Sequence, residues 1–190
     1  GLSGKGVFAS MAYLVVEYDG GKQKKCNFKD ERDVDTLLEV LAKEQPQLDL
    51  RQYFNGPLTA HGIFTDRSGK VVKRFTVRMT GRWDGEQGSL DEHFVYSDGS
   101  TQQRVWHIQH LGDGRYSGRA DDVVGEAQGQ SAGNAIRWSY VLALPVDGKV
   151  WNVNMDDWMY LMDERTLLNR TAMSKFGVHL GDVTLAFVKE

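Results

Sequence analysis

A chain of 190 residues, 41% hydrophobic and 26% charged, lies in the globular range and outside the composition of disordered proteins. Its formal net charge of -3, with acids and bases interspersed, excludes the concentrated basic stripe of a nucleic-acid binder. A single cysteine, Cys26, excludes an intrachain disulfide and a cysteine-based structural zinc site. The longest apolar stretch, Val7 to Val16, is broken by Ser10. It falls well short of the roughly 20 residues a spanning helix needs, and no basic cluster and cleavage site frame it as a signal peptide.

In chain order, residues 11–18 (MAYLVVEY) read as a strand, Asp19-Gly20-Gly21 as a hairpin turn, and residues 22–28 as the polar return strand. From Lys29 the period changes. Val34, Leu37, Leu38 and Leu41 recur at helical spacing, with Asp30 or Asn27 available as N-cap and an end expected before Pro46. Residues 1–46 are therefore expected to be a β-β-α extension.

Beyond Gln47 helical periodicity fades, and alternating runs are separated by Arg67-Ser68-Gly69, Asp84-Gly85, Ser97-Asp98-Gly99, Asp113-Gly114, Ala132-Gly133-Asn134 and Asp147-Gly148. Val71, Phe75, Val77, Met79 and Trp83 share one face of a strand whose other face carries Arg74, Arg78 and Arg82. Successive hairpins with one apolar face must bury it, and short sequential turns favour closure over a second stacked sheet. The expectation is a mainly β protein: an antiparallel lipocalin-like (calycin-like) barrel over 47–190, carrying the β-β-α extension.

Polar residues on the inward face are the candidates for function. Glu92 alternates with Leu90 and Phe94, and Arg104 with Trp106 and Ile108, on neighbouring strands of one hairpin. A cross-strand ion pair follows, either inside a cavity or, after a register slip, on the outer face. In Trp151 to Arg170, Asp157 shares its face with Val153, Met155 and Met159. There it needs a partner, for which Arg137, Arg165 and Arg170 are available, unless a bulge leaves Asp156 and Asp157 in water. His107 and His110 point to opposite faces of a strand, and Asp121-Asp122 lacks a calcium loop. Gly125, Gly129 and Gly133 read as turns or bulges, and neither a G-x-S-x-G elbow nor a P-loop is present. No catalytic residue, metal or cofactor is expected.

Several long blocks carry a family resemblance: FNGPLTAHGIFTDRSGKVVKRFTVRMTGRW, DEHFVYSDG, RVWHI, DDVVGEAQGQSAGNAIRW, LPVDGKVWNVNMDDWMYLMDERTLLNR and MSKFGVHLGDVTL. In this order, over about residues 48–189, they resemble the DUF3833 family of proteobacterial proteins. The resemblance implies a lipocalin-like barrel. It also implies an envelope setting, periplasmic or outer-membrane-associated, because members are predicted lipoproteins anchored through a cysteine after a signal peptide. Their genes often lie beside genes for fatty-acid cyclopropanation and related lipid modification. It carries no catalytic residue over to this chain. Cys26 follows Lys24-Lys25 and is not a lipobox cysteine. Neither signal peptide nor lipobox is visible, so membrane association is expected only through an anchor this stretch lacks.

The leading expectation is a lipid- or fatty-acyl-binding barrel of the bacterial cell envelope, linked to membrane-lipid modification. Its candidate cavity residues are Glu92, Arg104, Trp106, Arg137, Trp138, Trp151, Asp157, Trp158, Tyr160 and Arg170. The tryptophans, with Trp83, would line or cap the cavity. Arg104, Arg137 or Arg170 would grip an acidic headgroup through the guanidinium fork. Two rivals stand beside it: an enzyme acting on a modified lipid through Glu92, Asp156 or Asp157, and a filled barrel serving as a scaffold. The expected partner is a hydrophobic small molecule, fatty acid or lipid, and no nucleic acid. The hairpin at 11–28 would extend the barrel sheet or pair with a second copy in a homodimer.

Overall fold

Period-two alternation dominates from residue 56 onward, and the computed structural model turns it into ten strands. Residues 14–18, 22–26, 31–146 and 148–190 are described. The Asp19-Gly20-Gly21 turn, the proposed N-caps and Asp147 lie outside them. Strands β1 (Leu14–Tyr18) and β2 (Lys22–Cys26) pair antiparallel, Leu14 opposite Cys26 and Tyr18 opposite Lys22. They form a two-stranded sheet of their own and do not extend the barrel. Helix α1 (Glu31–Leu41) ends before Pro46, as its spacing predicts.

The barrel strands are β3 (Gly56–Asp66), β4 (Val71–Asp84), β5 (Gln87–Tyr96), β6 (Thr101–Gly112), β7 (Arg115–Arg119), β8 (Val123–Ala132), β9 (Ala135–Val146), β10 (Lys149–Leu161), β11 (Thr166–Lys175) and β12 (Val178–Lys189). Each pairs antiparallel with the next, and β12 returns to β3, from Gly181 opposite Asp66 to Lys189 opposite Leu58. The expected barrel is thus an up-and-down meander fully closed on itself. Closure satisfies every strand edge, which an open sheet of this size cannot do. Strand β4 shows the alternation that drives it: Val77 and Met79 are buried, while Arg78 and Thr80 between and after them are exposed.

One end of the barrel is plugged. Asp49 caps the single turn α2 (Leu50–Tyr53), accepting a hydrogen bond from the Arg51 amide at 2.9 Å. That turn drives Leu50, Tyr53 and Phe54 into the core between the strands. The Tyr53 hydroxyl donates to the Arg165 carbonyl (2.9 Å), and Trp83 Nε1 donates to the Phe54 carbonyl (3.0 Å). Phe54 meets Phe187 edge-on, ring centroids 5.7 Å apart. Gly81 is required here, because a Cβ would collide with the Phe54 carbonyl.

Helix α1 lies against the outside. Leu37, only 2% exposed, packs on Trp158 with Tyr160 beside it. The chain leaving the helix crosses the β8–β9 turn, where the Leu48 amide donates to the Gly133 carbonyl at 2.8 Å.

Candidate functional site

Ten strands enclose more space than the inward side chains fill, since barrel diameter grows with strand number. Between the α2 plug and the opposite rim lies a cavity of about 950 Å³. Leu50 and Phe54 make its floor, and Val77, Met155, Met159 and Leu185 are among its apolar walls. At the mouth stand Lys73, Tyr96, Asp121, Pro145 and Val150.

A belt of polar groups crosses this apolar lumen. Glu92 on β5 and Arg104 on β6 are direct cross-strand partners, inside the barrel rather than on its outer face. Arg104 Nη1 approaches Glu92 Oε2 to 3.7 Å, close enough for attraction and too long for a hydrogen bond. The guanidinium instead spends its fork on Asp122 in the β7–β8 turn, with Nη2–Oδ2 at 2.7 Å and Nε–Oδ1 at 3.0 Å. Glu92, 8% exposed, is left with an Oε2 that makes no hydrogen bond.

Strand β10 lies five steps from β5 in either direction round the ring, and so faces it across the lumen. Its Asp157 is buried and accepts a hydrogen bond from the Thr171 hydroxyl. Asn169 beside it donates to the Trp158 carbonyl at 3.3 Å. Burial raises the Glu92 carboxyl to about 7; Arg104 opposes the rise, and Asp122 and Asp157 add to it. Burial likewise lifts Asp157 to about 6, against the pull of Thr171 and Asn169. Tyr140, within the same electrostatic field, is held well above its ordinary value, again chiefly by burial. Two carboxyls that change protonation near neutrality can accept, hold or release a proton, and can hydrogen-bond in either state. Among the described residues no three His, Cys, Asp or Glu side chains gather as a metal-binding group.

A family model described as a protein of unknown function, DUF3833, matches residues 34–189. The chain belongs to the DUF3833 family. The match begins inside α1, earlier than the sequence blocks that suggested it. No curated protein matches the chain. Among solved structures it is similar to a de novo designed fluorescence-activating β-barrel, at 12% identity with a TM-score of 0.41. That likeness covers 75% of this chain and 99% of the designed one.

The aromatic wall of this DUF3833 barrel is built around Trp138. Trp106 meets it edge-on with centroids 5.7 Å apart, and Tyr140 meets Trp106 at 5.3 Å. Trp138 fits because Gly118 and Gly129 on the adjoining strands present no Cβ to collide with its ring. Gly129 is therefore a slot for an indole, whereas Gly125 sits at the β8 bulge and Gly133 in a turn, as their sequence context suggests.

Of the ten candidate cavity residues, Glu92, Arg104, Trp106, Trp138 and Asp157 line the cavity. The other five do not. Arg137 and Arg170 are both register partners of Trp158, the three side by side on the outer face. Period two puts Trp158 outward once Asp157 is inward, and α1 then covers it together with Tyr160. Arg137 is engaged with Asp156 (2.7 Å) and Arg170 with Asp182 (3.4 Å), so neither reaches Asp157. Arg165 Nε donates to the Lys189 carbonyl instead. Trp151 has inward parity but does not line the cavity: it is 41% exposed, with the Lys175 ammonium 4.5 Å from its ring centroid. Trp83 serves the plug and not the cavity.

Sequence reading missed Asp122, Tyr140, Asn169 and Thr171. Parity alone points to three of them: Tyr140 alternates with Trp138 and Leu142, and Asn169 and Thr171 with Leu167 and Met173. Asp122 belongs to a turn, where no periodicity speaks.

Proposed function

We propose that the barrel binds an elongated apolar small molecule of the lipid or acyl-chain class and shelters it from water. The observation that carries this reading is the cavity itself. At about 950 Å³ it lies at the upper end of the volumes of small-molecule sites, roughly 300–1,000 Å³. Its walls are mainly apolar, with a few fixed polar groups partway along, the usual lining of such sites. A filled barrel would have carried the scaffold reading, and this interior is not filled. The envelope setting and the link to lipid modification remain part of the proposal on the strength of the family resemblance.

The test is direct. Purified protein extracted with organic solvent yields a bound apolar species by mass spectrometry, or the emptied protein takes up a neutral polarity-sensitive dye at one site. Leu185→Trp, which fills the lumen from β12, abolishes uptake while the melting transition persists. Absence of both extractable ligand and dye uptake in the wild type refutes the reading.

One observation favours a second reading. Glu92 and Asp157 face one lumen with pKa values of about 7 and about 6, which suits acid and base roles on a bound lipid. Under it, Asp157→Asn keeps ligand uptake and the fold but stops conversion of the extracted species, followed by mass spectrometry. A bound species that the wild type never alters removes this reading.

A further inference from the structure

The cations of the cavity wall are already engaged. Among the described residues that wall carries two, Lys73 and Arg104, against four carboxyl groups: Glu92, Asp121, Asp122 and Asp157. Lys73, at the mouth, is paired with Asp98 at 2.9 Å. Arg104 is held by both oxygens of Asp122. A carboxylate or phosphate bound at the remaining Nη1 edge of Arg104 would sit against Glu92 Oε2, 3.7 Å from that nitrogen, in a lumen that also holds Asp122 and Asp157.

What the lumen leaves open is an acceptor. Glu92 Oε2 is buried and makes no hydrogen bond. An unmade bond of that kind normally has a partner the free protein lacks. The groups around Glu92 do not supply it. Arg104 Nη1 stops 3.7 Å from Oε2, the Trp106 indole beside the carboxyl leaves that oxygen without a hydrogen bond, and Asp157 faces Glu92 across the barrel.

Resting on the reading of this cavity as a ligand site, we propose that the polar group its ligand buries is a hydrogen-bond donor, an amine or a hydroxyl on an apolar chain, and not a carboxylate or phosphate. An ammonium suits the site best: it donates to Glu92 and offsets the excess of carboxyl groups. A hydroxyl satisfies the same oxygen without the charge. This reverses the sequence-based expectation that an arginine grips an acidic head.

The experiment compares dodecylamine, dodecanol and dodecanoate as displacers of a neutral polarity-sensitive dye from the full chain, at one salt concentration and at about pH 8, where Glu92 is mostly ionised. The expected order is amine, then alcohol, then acid, with amine over acid by about tenfold or more, the size of one hydrogen bond to a charged group. Glu92→Gln lowers amine affinity by about tenfold and leaves the alcohol within about twofold. If that variant fails to fold, Glu92→Met, which removes the acceptor at similar volume, supplies the amine comparison. Dodecanoate binding as tightly as the amine in the wild type overturns the inference while leaving the cavity reading intact. Equal binding of all three does the same. Failure of the dye to bind at all overturns the cavity reading, and this inference with it.

Discussion

The two ends of one barrel are built from the same ten strands, yet they are different materials. At the plugged end Leu58, Phe54, Tyr53 and Phe187 interlock, and hydrogen bonds from Tyr53 and Trp83 tie the plug to the strands. Toward the rim the inward side chains remain apolar but face a void, and the polar groups among them are only partly satisfied. Packing of the first kind stabilises the fold. The second arrangement sacrifices stability, since void-facing side chains lose dispersion contacts and a buried carboxyl resists ionisation. The contrast separates the residues that hold the barrel together from those available for a ligand.

Substitutions can break that contrast or sharpen it. Gly81→Val drives a side chain into the Phe54 carbonyl, so the plug cannot seat. The expected outcome in urea denaturation is a loss of roughly 3 kcal/mol or more, up to failure to fold. Leu58→Ala, at a position 1% exposed in the packed half, should cost about 2–5 kcal/mol. Leu185→Ala, lining the void, should cost less than about 2 kcal/mol by the same measurement. Equal losses at the two leucines would erase the distinction.

Glu92→Gln probes the penalty of the hollow half. Burial raises the folded-state pKa of Glu92 from 4.5 to about 7, so the folded protein holds this proton more tightly than the unfolded chain. Stability therefore falls as pH climbs from about 4.5 to about 7, and the deficit is complete above that window. The variant should flatten this part of the pH profile and raise stability at pH 8 by something on the order of 1–3 kcal/mol. Thermal melts across the range check both signs. The smallest effect belongs to Arg170→Ala on the outer face. Its exposed pair with Asp182 should contribute no more than about 1 kcal/mol, and dye affinity should not change.

Much of this architecture is legible in the sequence because period two is a local signal. Parity puts Glu92, Arg104, Trp106 and Asp157 inward, Trp138 enters as one of the tryptophans expected to line the cavity, and glycine-bearing turns mark most of the hairpins. Parity also argues against Arg137, Trp158, Tyr160 and Arg170, given Asp157 inward; aromatic density and positive charge drew them into the candidate set instead. Two features were beyond local reading. Helix α2 is one turn long, too short for a helical period to register, and its importance arises from what it plugs. Asp122 reaches Arg104 across 18 positions of sequence from a turn, so the neutralised arginine, and with it the polarity of the site, emerges only when the strands are assembled.

Closure of β12 on β3 has a consequence for how the barrel is made. Its ladder joins residues as far apart as Leu58 and Lys189, whereas every other barrel pairing is a near-neighbour hairpin. Local hairpins form first, and the seam must await the most distant encounter in the chain. Until then β3 and β12 are two naked edges on a sheet whose inner face is apolar, the moment of greatest danger from self-association.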